Sequence, residues 1–295
     1  MKIGVFGSNY QIGKQNYIQT LFTRLRELNI DVWVENYFYT YLFQQFGYAP
    51  KITGLIDSGK FPLDIVCSLG GDGTFLRTAA WVGRQNIPIW GINTGRLGFL
   101  TDVHAKEINS ALDEIVSGNY NVEERTLLQM ESSLLSYGDY DYALNEIAIL
   151  KRDTSSMITI QAYLNNEFLT EYLGDGLIVA TPTGSTAYSL SVNGPILVPQ
   201  TNNFVLSPVA PHSLNVRPLV IPDNYSIRLK VESRSSNFLA SLDGRSQVFL
   251  SGNELFIRKA NFTVKIVKRF NRSFYETLRN KLLWGTQVQP TEKLS

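Results

Sequence analysis

The chain has 295 residues, of which 44% are hydrophobic and 18% charged, and this size and composition are typical of two globular domains with a large core. Lys and Arg number 27 and Asp and Glu 26, so no basic field attracts a phosphate backbone and nucleic-acid binding is disfavoured. The single cysteine, Cys67, excludes an internal disulfide, and without a membrane-length apolar run or a signal-peptide core we expect a cytoplasmic protein that does not bind membranes.

The first hundred residues alternate between strand and helix patterns. Compact apolar runs predict strands at residues 2–6, 31–35, 63–69 and 87–92, and amphipathic patterns predict helices at residues 16–28 and 74–82. This alternation builds a parallel sheet covered by helices. Ligands of such sheets bind beyond the carboxyl ends of the strands.

The pattern changes at about residue 125. Alternation with a period of two at residues 225–232 and 262–266, with turn residues between the runs, predicts a β-rich and largely antiparallel half. Near the end, Phe274, Leu278 and Leu282 share one helical stripe that Gly285 would terminate. We therefore predict an α/β domain over residues 1–125, with residues 269–295 returning to it, and a β-rich domain over residues 126–268.

The run Gly70-Gly71-Asp72-Gly73-Thr74 joins an apolar strand to a helix. Its glycines let a ligand approach the main chain, and the start of the helix offers free N–H groups to phosphate. Asp72 should be ionised there, so it could take a proton from a sugar hydroxyl, help to hold Mg²⁺, or do both. Arg77 could reach back toward a group bound at this loop. The alternatives are that Asp72 only caps the helix and that Arg77 is solvated.

Two further runs suggest contacts with a nucleotide. Residues 93–100 form a second glycine-containing loop after a strand, which would bind phosphate or only turn the chain. Asn145 and Glu146 lie in the apolar run 142–150, where a carboxylate suits a ribose diol, although an exposed strand face is the alternative. Because neighbouring residues of a strand point to opposite faces, the strand must bulge or end there if both contact one ligand.

A hydroxyl-rich stretch supplies the remaining candidates. After Asp175 and a short apolar strand, residues 181–191 could present several donors to a base, a carboxamide or phosphates, and Tyr188 could stack on a flat base. A solvated turn is the alternative. The candidate residues of this stretch are Thr186, Ala187, Tyr188, Ser189, Leu190 and Ser191. Neither histidine has a Ser or Cys motif to partner it, so a hydrolase triad has little support.

In this order the motifs resemble those of the NAD kinase family of bacterial type. The resemblance covers roughly residues 60–285, and the run 181–191 is its most specific part. It implies a Rossmann-like α/β domain followed by a β-rich domain, and ATP-dependent phosphorylation of the 2′-hydroxyl of the adenosine ribose of NAD to give NADP. It also implies a divalent cation, normally Mg²⁺, with ATP as the phosphoryl donor, and a homo-oligomer, either a dimer or a tetramer.

The resemblance also implies residue roles. Asp72 would be the proton acceptor, Gly73 would lie against the nucleotide, and Asn145 and Glu146 would hold NAD. Asp175 and residues 186–191 would complete the dinucleotide pocket. The chain departs from some bacterial members at Ser156, Leu173 and Arg245, where those members carry His, Arg and Gln.

Two other functions remain open at this stage. A lipid or sugar kinase could share only the glycine-rich loop, although the chain lacks a basic amphipathic anchor for lipid. A regulator that binds NAD(P) without catalysis could keep the pocket, although it would have no need of Asp72.

Overall fold

The structure, a computed structural model, describes residues 1–9, 11–57, 59, 61–95, 98–101, 103–133, 140–153, 156–270 and 272–283. These residues form two compact units. The first unit comprises Met1–Thr78, Pro88–Glu123 and the described part of Ile266–Ser295. The second unit comprises Ala79–Ile87 and Glu124–Lys265.

The first unit is built on a parallel sheet in which β5, β4, β1, β2 and β3 lie side by side in that order. Its elements, in chain order, are β1 (Lys2–Gly7), α1 (Gln15–Glu27), β2 (Asp31–Glu35), α2 (Asn36–Phe46), β3 (Gly54–Ile56), β4 (Ile65–Gly70), α3 (Asp72–Val82, of which residues 79–82 belong to the second unit), β5 (Ile89–Asn93), β6 (Val103–His104) and α4 (Ile108–Ser117).

Burial explains why these segments form a covered sheet. Every residue of β4 and β5 is buried, as expected for parallel strands with helices on both faces. Helix α1 buries a stripe at Ile18, Leu21, Phe22 and Leu25, spaced three or four residues apart. The register pairs Gly70 with Asn93, so the loops that follow β4 and β5 start side by side at the carboxyl edge of the sheet.

The second unit is mainly antiparallel. Its elements are β7 (Asn121–Ser132, of which residues 121–123 belong to the first unit), β8 (Tyr142–Ala143), β9 (Glu146–Lys151), β10 (Ile158–Leu164), β11 (Glu167–Gly174), β12 (Gly176–Ala180), α5 (Tyr188–Ser191), β13 (Asn203–Val209), β14 (Leu219–Pro222), β15 (Ile227–Ser233), β16 (Asn237–Leu242), β17 (Arg245–Leu250) and β18 (Glu254–Lys268, of which residues 266–268 belong to the first unit). One sheet has the order β14-β13-β12-β9-β16-β17. In a second sheet β11, β10, β15 and β18 lie side by side. Both sheets contribute to one apolar core, for example through Phe204 and Phe238 of the first and Ile160 and Leu229 of the second.

The chain ends, within its described residues, in helix α6 (Phe274–Leu282), which belongs to the first unit. The Ser273 hydroxyl caps it by accepting a hydrogen bond from the Glu276 amide at 3.1 Å. The Phe274 ring contacts the Phe99 ring, with centroids 6.3 Å apart, so the predicted return of this helix to the first unit is confirmed. The helix stops at Leu282, and the predicted stop residue, Gly285, lies outside the described residues.

The predicted fold class, an α/β domain with a β-rich domain and a C-terminal helix, is thereby confirmed. Within the described chain, no helix combines the length and the apolar composition that crossing a bilayer requires. Helix α3 starts at Asp72, two residues earlier than predicted, so Asp72 lies in its first turn. Helices α2 and α4 were not predicted from the sequence.

An ion-pair network around the buried Arg269 joins the segment before α6 to helix α4. Arg269, only 8% exposed, donates to Glu114 through Nε at 2.7 Å and Nη2 at 2.6 Å, and to Glu107 through Nη1 at 3.1 Å. Arg272 adds a bond to Glu107 at 2.7 Å. Bidentate pairing of this kind is geometrically specific, so the network should hold this segment in place.

We expect Arg269→Met to lower the free energy of unfolding by about 1–2 kcal/mol, because Arg269 is buried but its partners Glu114 and Glu107 are 24% and 32% exposed and stay partly screened by water. Urea denaturation followed by circular dichroism measures this change. Arg258→Met is the control, because the Arg258–Glu131 pair is more than half exposed and should contribute far less. Equal effects of the two substitutions would show that burial of the Arg269 network does not matter.

Candidate functional site

The first candidate cluster surrounds the Asp72 carboxylate in the first unit. Asp72 Oδ2 accepts a hydrogen bond from the Phe99 amide at 2.8 Å. Asp72 Oδ1 accepts bonds from the Leu100 amide at 3.3 Å, the Thr101 amide at 3.2 Å and the Thr101 hydroxyl at 2.9 Å. The carboxylate therefore joins the start of α3 to the loop that follows β5. Its contacts go further than those of a residue that only caps its own helix.

The glycines around Asp72 differ in whether a side chain could replace them. A Cβ at Gly98 would come within 1.8 Å of Asp72 Oδ1, so only glycine lets the second loop approach the carboxylate this closely. A Cβ at Gly71 or Gly73 would meet nothing within 4 Å. The main chain on either side of Asp72 therefore faces open space, where a ligand can approach the first turn of α3.

Arg77 lies one turn further along α3. Its Nη2 donates to the Gly7 carbonyl and, at 3.3 Å, to Glu35 Oε2. Burial raises the pKa of Glu35, and the Arg77 charge opposes that rise. The observed contacts of Arg77 are thus with the ends of β1 and β2, rather than with a group at the glycine loop.

The second candidate cluster is a break between β8 and β9 in the second unit. Asp243, in the turn between β16 and β17, accepts bonds from the Leu144 amide at 2.7 Å, the Asn145 amide at 2.8 Å and the Glu146 amide at 3.2 Å. The Asp243 amide in turn donates to the Glu146 carbonyl at 3.1 Å. The strand therefore ends between Ala143 and Glu146, which removes the requirement that Asn145 and Glu146 point to opposite faces.

Asp243 is a site residue that the sequence analysis missed. Its backbone has a positive φ of 48°, and Gly244 follows it, as in many tight hairpin turns. The Asp-Gly pair between two strand-like runs was the available signal for the hairpin. Nothing local indicated that this carboxylate binds residues 144–146.

Burial and charge together perturb the acids of this cluster. Burial raises the pKa of Glu146 to about 8, the Asp243 charge adds to the rise, and the Tyr188 amide, which hydrogen-bonds the carboxylate, opposes it. Burial also raises the pKa of Asp243, against the three amides that it accepts and the Arg245 charge. Strongly raised pKa values of this kind cluster at functional sites.

Two buried acceptors of the cluster have no hydrogen-bond partner among the described residues. They are Asn145 Oδ1 and Glu146 Oε2. A buried acceptor without a donor costs about 1–3 kcal/mol, so such atoms need an explanation. A ligand that carries hydroxyl or N–H donors would satisfy both.

The hydroxyl-rich stretch packs directly against this break. A Cβ at Gly184 would lie 2.0 Å from the Asn145 carbonyl oxygen, and the Thr181 hydroxyl donates to the Leu144 carbonyl at 2.6 Å. Residues Thr183–Thr186 form a 3₁₀ turn, which α5 (Tyr188–Ser191) follows. The stretch therefore helps to shape the cluster.

The predicted residues of this stretch differ in what they present to solvent. The Ser189 hydroxyl is fully buried and pairs with the Ser207 hydroxyl at 2.9 Å, and the Thr186 hydroxyl donates to the Thr183 carbonyl at 3.3 Å. The Tyr188 side chain is 38% exposed, and Ser191 is exposed. Ala187 and Leu190 are half-buried. Tyr188 is therefore the side chain most able to lie against a flat ligand.

Asp175 precedes β12 and forms an ion pair with Lys151 at 2.7 Å. Of the three departures from the family pattern, Ser156 and Leu173 line a cavity of about 620 Å³ that Glu232 and Arg234 also line. Arg245 instead donates to the Tyr140 and Tyr142 carbonyls.

The expected divalent cation, Mg²⁺, takes oxygen ligands such as carboxylates and phosphates. Among the described residues, no three His, Cys, Asp or Glu side chains lie close enough together to hold a metal ion. Mg²⁺ at phosphoryl-transfer sites is usually held by one or two carboxylates together with substrate phosphates, so a cluster of three is not required, and no step proposed below passes through the ion. A Mg²⁺ ion that arrives on ATP would be part of the substrate.

The first unit is an α/β unit that carries the Asp72 cluster, and the second is a β-rich unit that carries the Asp243 cluster. The family model described as the ATP-NAD kinase N-terminal domain matches residues 3–120, and the one described as the ATP-NAD kinase C-terminal domain matches residues 144–269. The chain belongs to the NAD kinase family, and its activity is that of an NAD kinase.

Relatives and solved structures agree with this assignment. The NAD kinase of Bacteroides fragilis is 50% identical over 97% of this chain and 98% of its own length, and that of Porphyromonas gingivalis is 46% identical over 98% and 99%. An Archaeoglobus fulgidus NAD kinase in complex with ATP is 27% identical, with a TM-score of 0.75 over 96% of this chain and 99% of that one. Yeast NADH kinase in complex with NADH, at 24% identity, shares the fold with a TM-score of 0.87 over 99% of this chain and 90% of that one.

We expect the free energy of unfolding of Glu146→Gln, measured relative to that of the native protein, to increase as the pH rises. Glu146 ionises near pH 4.5 in the unfolded chain and near pH 8 in the folded one, so between these values the unfolded chain binds fewer protons. The free energy of unfolding of the native protein therefore falls with pH by up to about 1.4 kcal/mol per pH unit, and the variant loses this contribution.

Urea denaturation at several pH values from 5 to about 9 measures this difference between variant and native protein. The exposed Glu171, changed to Gln, is the control and should not alter the slope. Parallel pH profiles for Glu146→Gln and the native protein would show that Glu146 ionises normally.

Proposed function

We propose that the chain transfers the γ-phosphoryl group of ATP to the 2′-hydroxyl of the adenosine ribose of NAD, giving NADP, and that Asp72 accepts the hydroxyl proton. The observation that carries this proposal is the Asp72 carboxylate, which four donors fix beside open main chain. Phosphoryl transfer depends mainly on positioning and charge neutralisation, so a well-aimed carboxylate suffices as the base.

The two oxygens of Asp72 are not equivalent in this role. A carboxylate has about four lone-pair positions, two on each oxygen. Within the described chain, Oδ1 takes three donors, whereas Oδ2 takes only the Phe99 amide. Oδ2 is therefore the oxygen that keeps a lone-pair position unfilled by the described residues, and in this proposal it accepts the substrate hydroxyl.

The donor would bind at the first turn of α3. The Gly71 and Gly73 main chain is open, and the free amides of a helix start favour phosphate oxygens. Gly73 would then lie against the nucleotide, as the family resemblance implies. We assign Arg77 a supporting role in this proposal, through the charge that it places at the ends of β1 and β2.

The acceptor NAD would bind at the Asn145 and Glu146 break. The unpaired Asn145 Oδ1 and Glu146 Oε2 suit the hydroxyl donors of a ribose, and the Tyr188 ring suits a flat base or carboxamide. Asp175 and residues 186–191 would complete this dinucleotide pocket. A cytoplasmic homo-oligomer, which the resemblance implies, stays a prediction.

We expect Asp72→Asn to fold but to lose NADP formation by roughly 10²–10⁴-fold, the scale for loss of a general base. The asparagine oxygen can keep the place of Oδ1 with its three donors, and the cost to the fold is then limited to the Phe99 amide, whose acceptor Oδ2 is replaced by an N–H donor. NADP formation with NAD, ATP and Mg²⁺ measures activity, and thermal unfolding checks the fold. Asp64→Asn is the control, because Asp64 also accepts a main-chain amide, that of Lys2 at 2.7 Å, and should leave turnover intact. Near-native turnover in Asp72→Asn would remove Asp72 from the proposed role.

We expect NAD binding at pH 7 to release a proton from Glu146. With a pKa of about 8, the free carboxyl is mostly protonated at pH 7, and hydroxyl donors from a ribose stabilise its ionised form. Titration calorimetry in buffers of different ionisation enthalpy measures the number of protons released. Glu146→Gln should abolish the release and Glu171→Gln should keep it. Equal release by Glu146→Gln would place the titrating group elsewhere.

A further inference from the structure

A chain of two hydrogen bonds runs from Asn93 through the Thr101 hydroxyl to Asp72 Oδ1, the carboxylate oxygen that is not proposed to meet the substrate. Thr101, fully buried, gives Asp72 Oδ1 two of its three donors, the amide at 3.2 Å and the hydroxyl at 2.9 Å. The hydroxyl bond is the shortest of the three, since the Leu100 amide lies at 3.3 Å. A hydroxyl that donates to a carboxylate makes one of the stronger hydrogen bonds in proteins.

Asn93, the last residue of β5 and 1% exposed, fixes the direction of that hydroxyl. Its Nδ2 donates to Thr101 Oγ1 at 2.8 Å, and its Oδ1 accepts the Gly95 amide at 2.7 Å. The Gly95 bond sets which end of the Asn93 carboxamide faces Thr101. Because Thr101 Oγ1 accepts from Asn93, its own hydrogen is left to point at Asp72.

We propose that Thr101 is a positioning residue for phosphoryl transfer, and that Asn93 and Thr101 together anchor Asp72 Oδ1 so that Oδ2 meets the substrate hydroxyl. This inference rests on the proposed role of Asp72. Loss of the Thr101 hydroxyl leaves Oδ1 with two longer amide bonds, and the carboxylate then gains freedom to rotate about its Cβ–Cγ bond. Small misplacements of a reacting group cost about 10²-fold in rate, so the effect falls on kcat.

The test compares Thr101→Val, which keeps the shape and removes the hydroxyl, with Thr101→Ser, which keeps the hydroxyl. We expect kcat to fall about 10–100-fold in Thr101→Val, with KM for NAD and for ATP changed less than about threefold, and to return to within about threefold of native in Thr101→Ser. Thr78→Val is the matched control, because Thr78 is equally buried and its hydroxyl bonds to Thr74 and Ser68 instead. Its kcat should stay within about threefold of native.

A second variant reverses the direction of the chain. Asn93→Asp replaces the Nδ2 donor by an acceptor, so the Thr101 hydroxyl is drawn away from Asp72. We expect a kcat loss similar to that of Thr101→Val, and this variant serves if Thr101→Val does not fold. Native kcat in a folded Thr101→Val or Asn93→Asp protein overturns the inference.

Combination with Asp72→Asn separates positioning from general damage. If Thr101 acts through the carboxylate, Thr101→Val should cause no further loss of the residual activity of Asp72→Asn. An equal loss in both backgrounds overturns the inference. The outcomes also distinguish the two proposals: an inactive Asp72→Asn beside a fully active Thr101→Val refutes only this inference, whereas an active Asp72→Asn refutes the proposed function itself.

Discussion

The proposed site depends on one interaction, the hydrogen bonds that the loop at residues 98–101 donates to the Asp72 carboxylate. Neighbouring parallel strands end with Gly70 and Asn93 in register, so the two loops that follow them meet at the same edge of the sheet. Gly98 lets the second loop approach, and three successive amides and one hydroxyl then bind the carboxylate. The Asp72 carboxylate is held in one orientation in this way, next to an exposed helix start that suits phosphate.

The second unit uses the same device for another purpose. Asp243 also binds three successive amides, those of residues 144–146, but its carboxylate lies behind the break that it creates. By accepting these amides, Asp243 positions Asn145 and Glu146. The unpaired side-chain oxygens of these two residues are the proposed acceptors of the ribose hydroxyls. The nearby Asp243 charge also contributes to the raised pKa of Glu146. In our proposal, one acid reacts where its amides hold it, whereas the other shapes the strand that binds the substrate.

Features that depend on residues close together in the sequence could be predicted, whereas contacts between residues far apart in the sequence could not. Strand β2 was predicted with the bounds that the structure has. The two-residue period of strands required an interruption at Asn145 only if Asn145 and Glu146 contact one ligand, and the structure has such an interruption. Helix α2 was missed because its aromatic residues favour strands and only Phe38 and Leu42 are buried. The glycines that flank Asp72 in the sequence were enough to indicate it as a candidate site residue. Asp243 contacts residues that are separated from it by 97 to 99 positions in the sequence, and Thr101 and Asp72 are separated by 29 positions. Contacts between residues so far apart do not affect the local periodicity of the sequence, so it could not predict them.

The most direct test is a crystal structure of the chain with NAD and a non-hydrolysable ATP analogue. The account predicts Asp72 Oδ2 within about 2.6–3.2 Å of the 2′-oxygen of the adenosine ribose, with Oδ1 still bound to Thr101. A complex in which that hydroxyl faces another base, while both Asp72 oxygens remain occupied by the main chain, would contradict it.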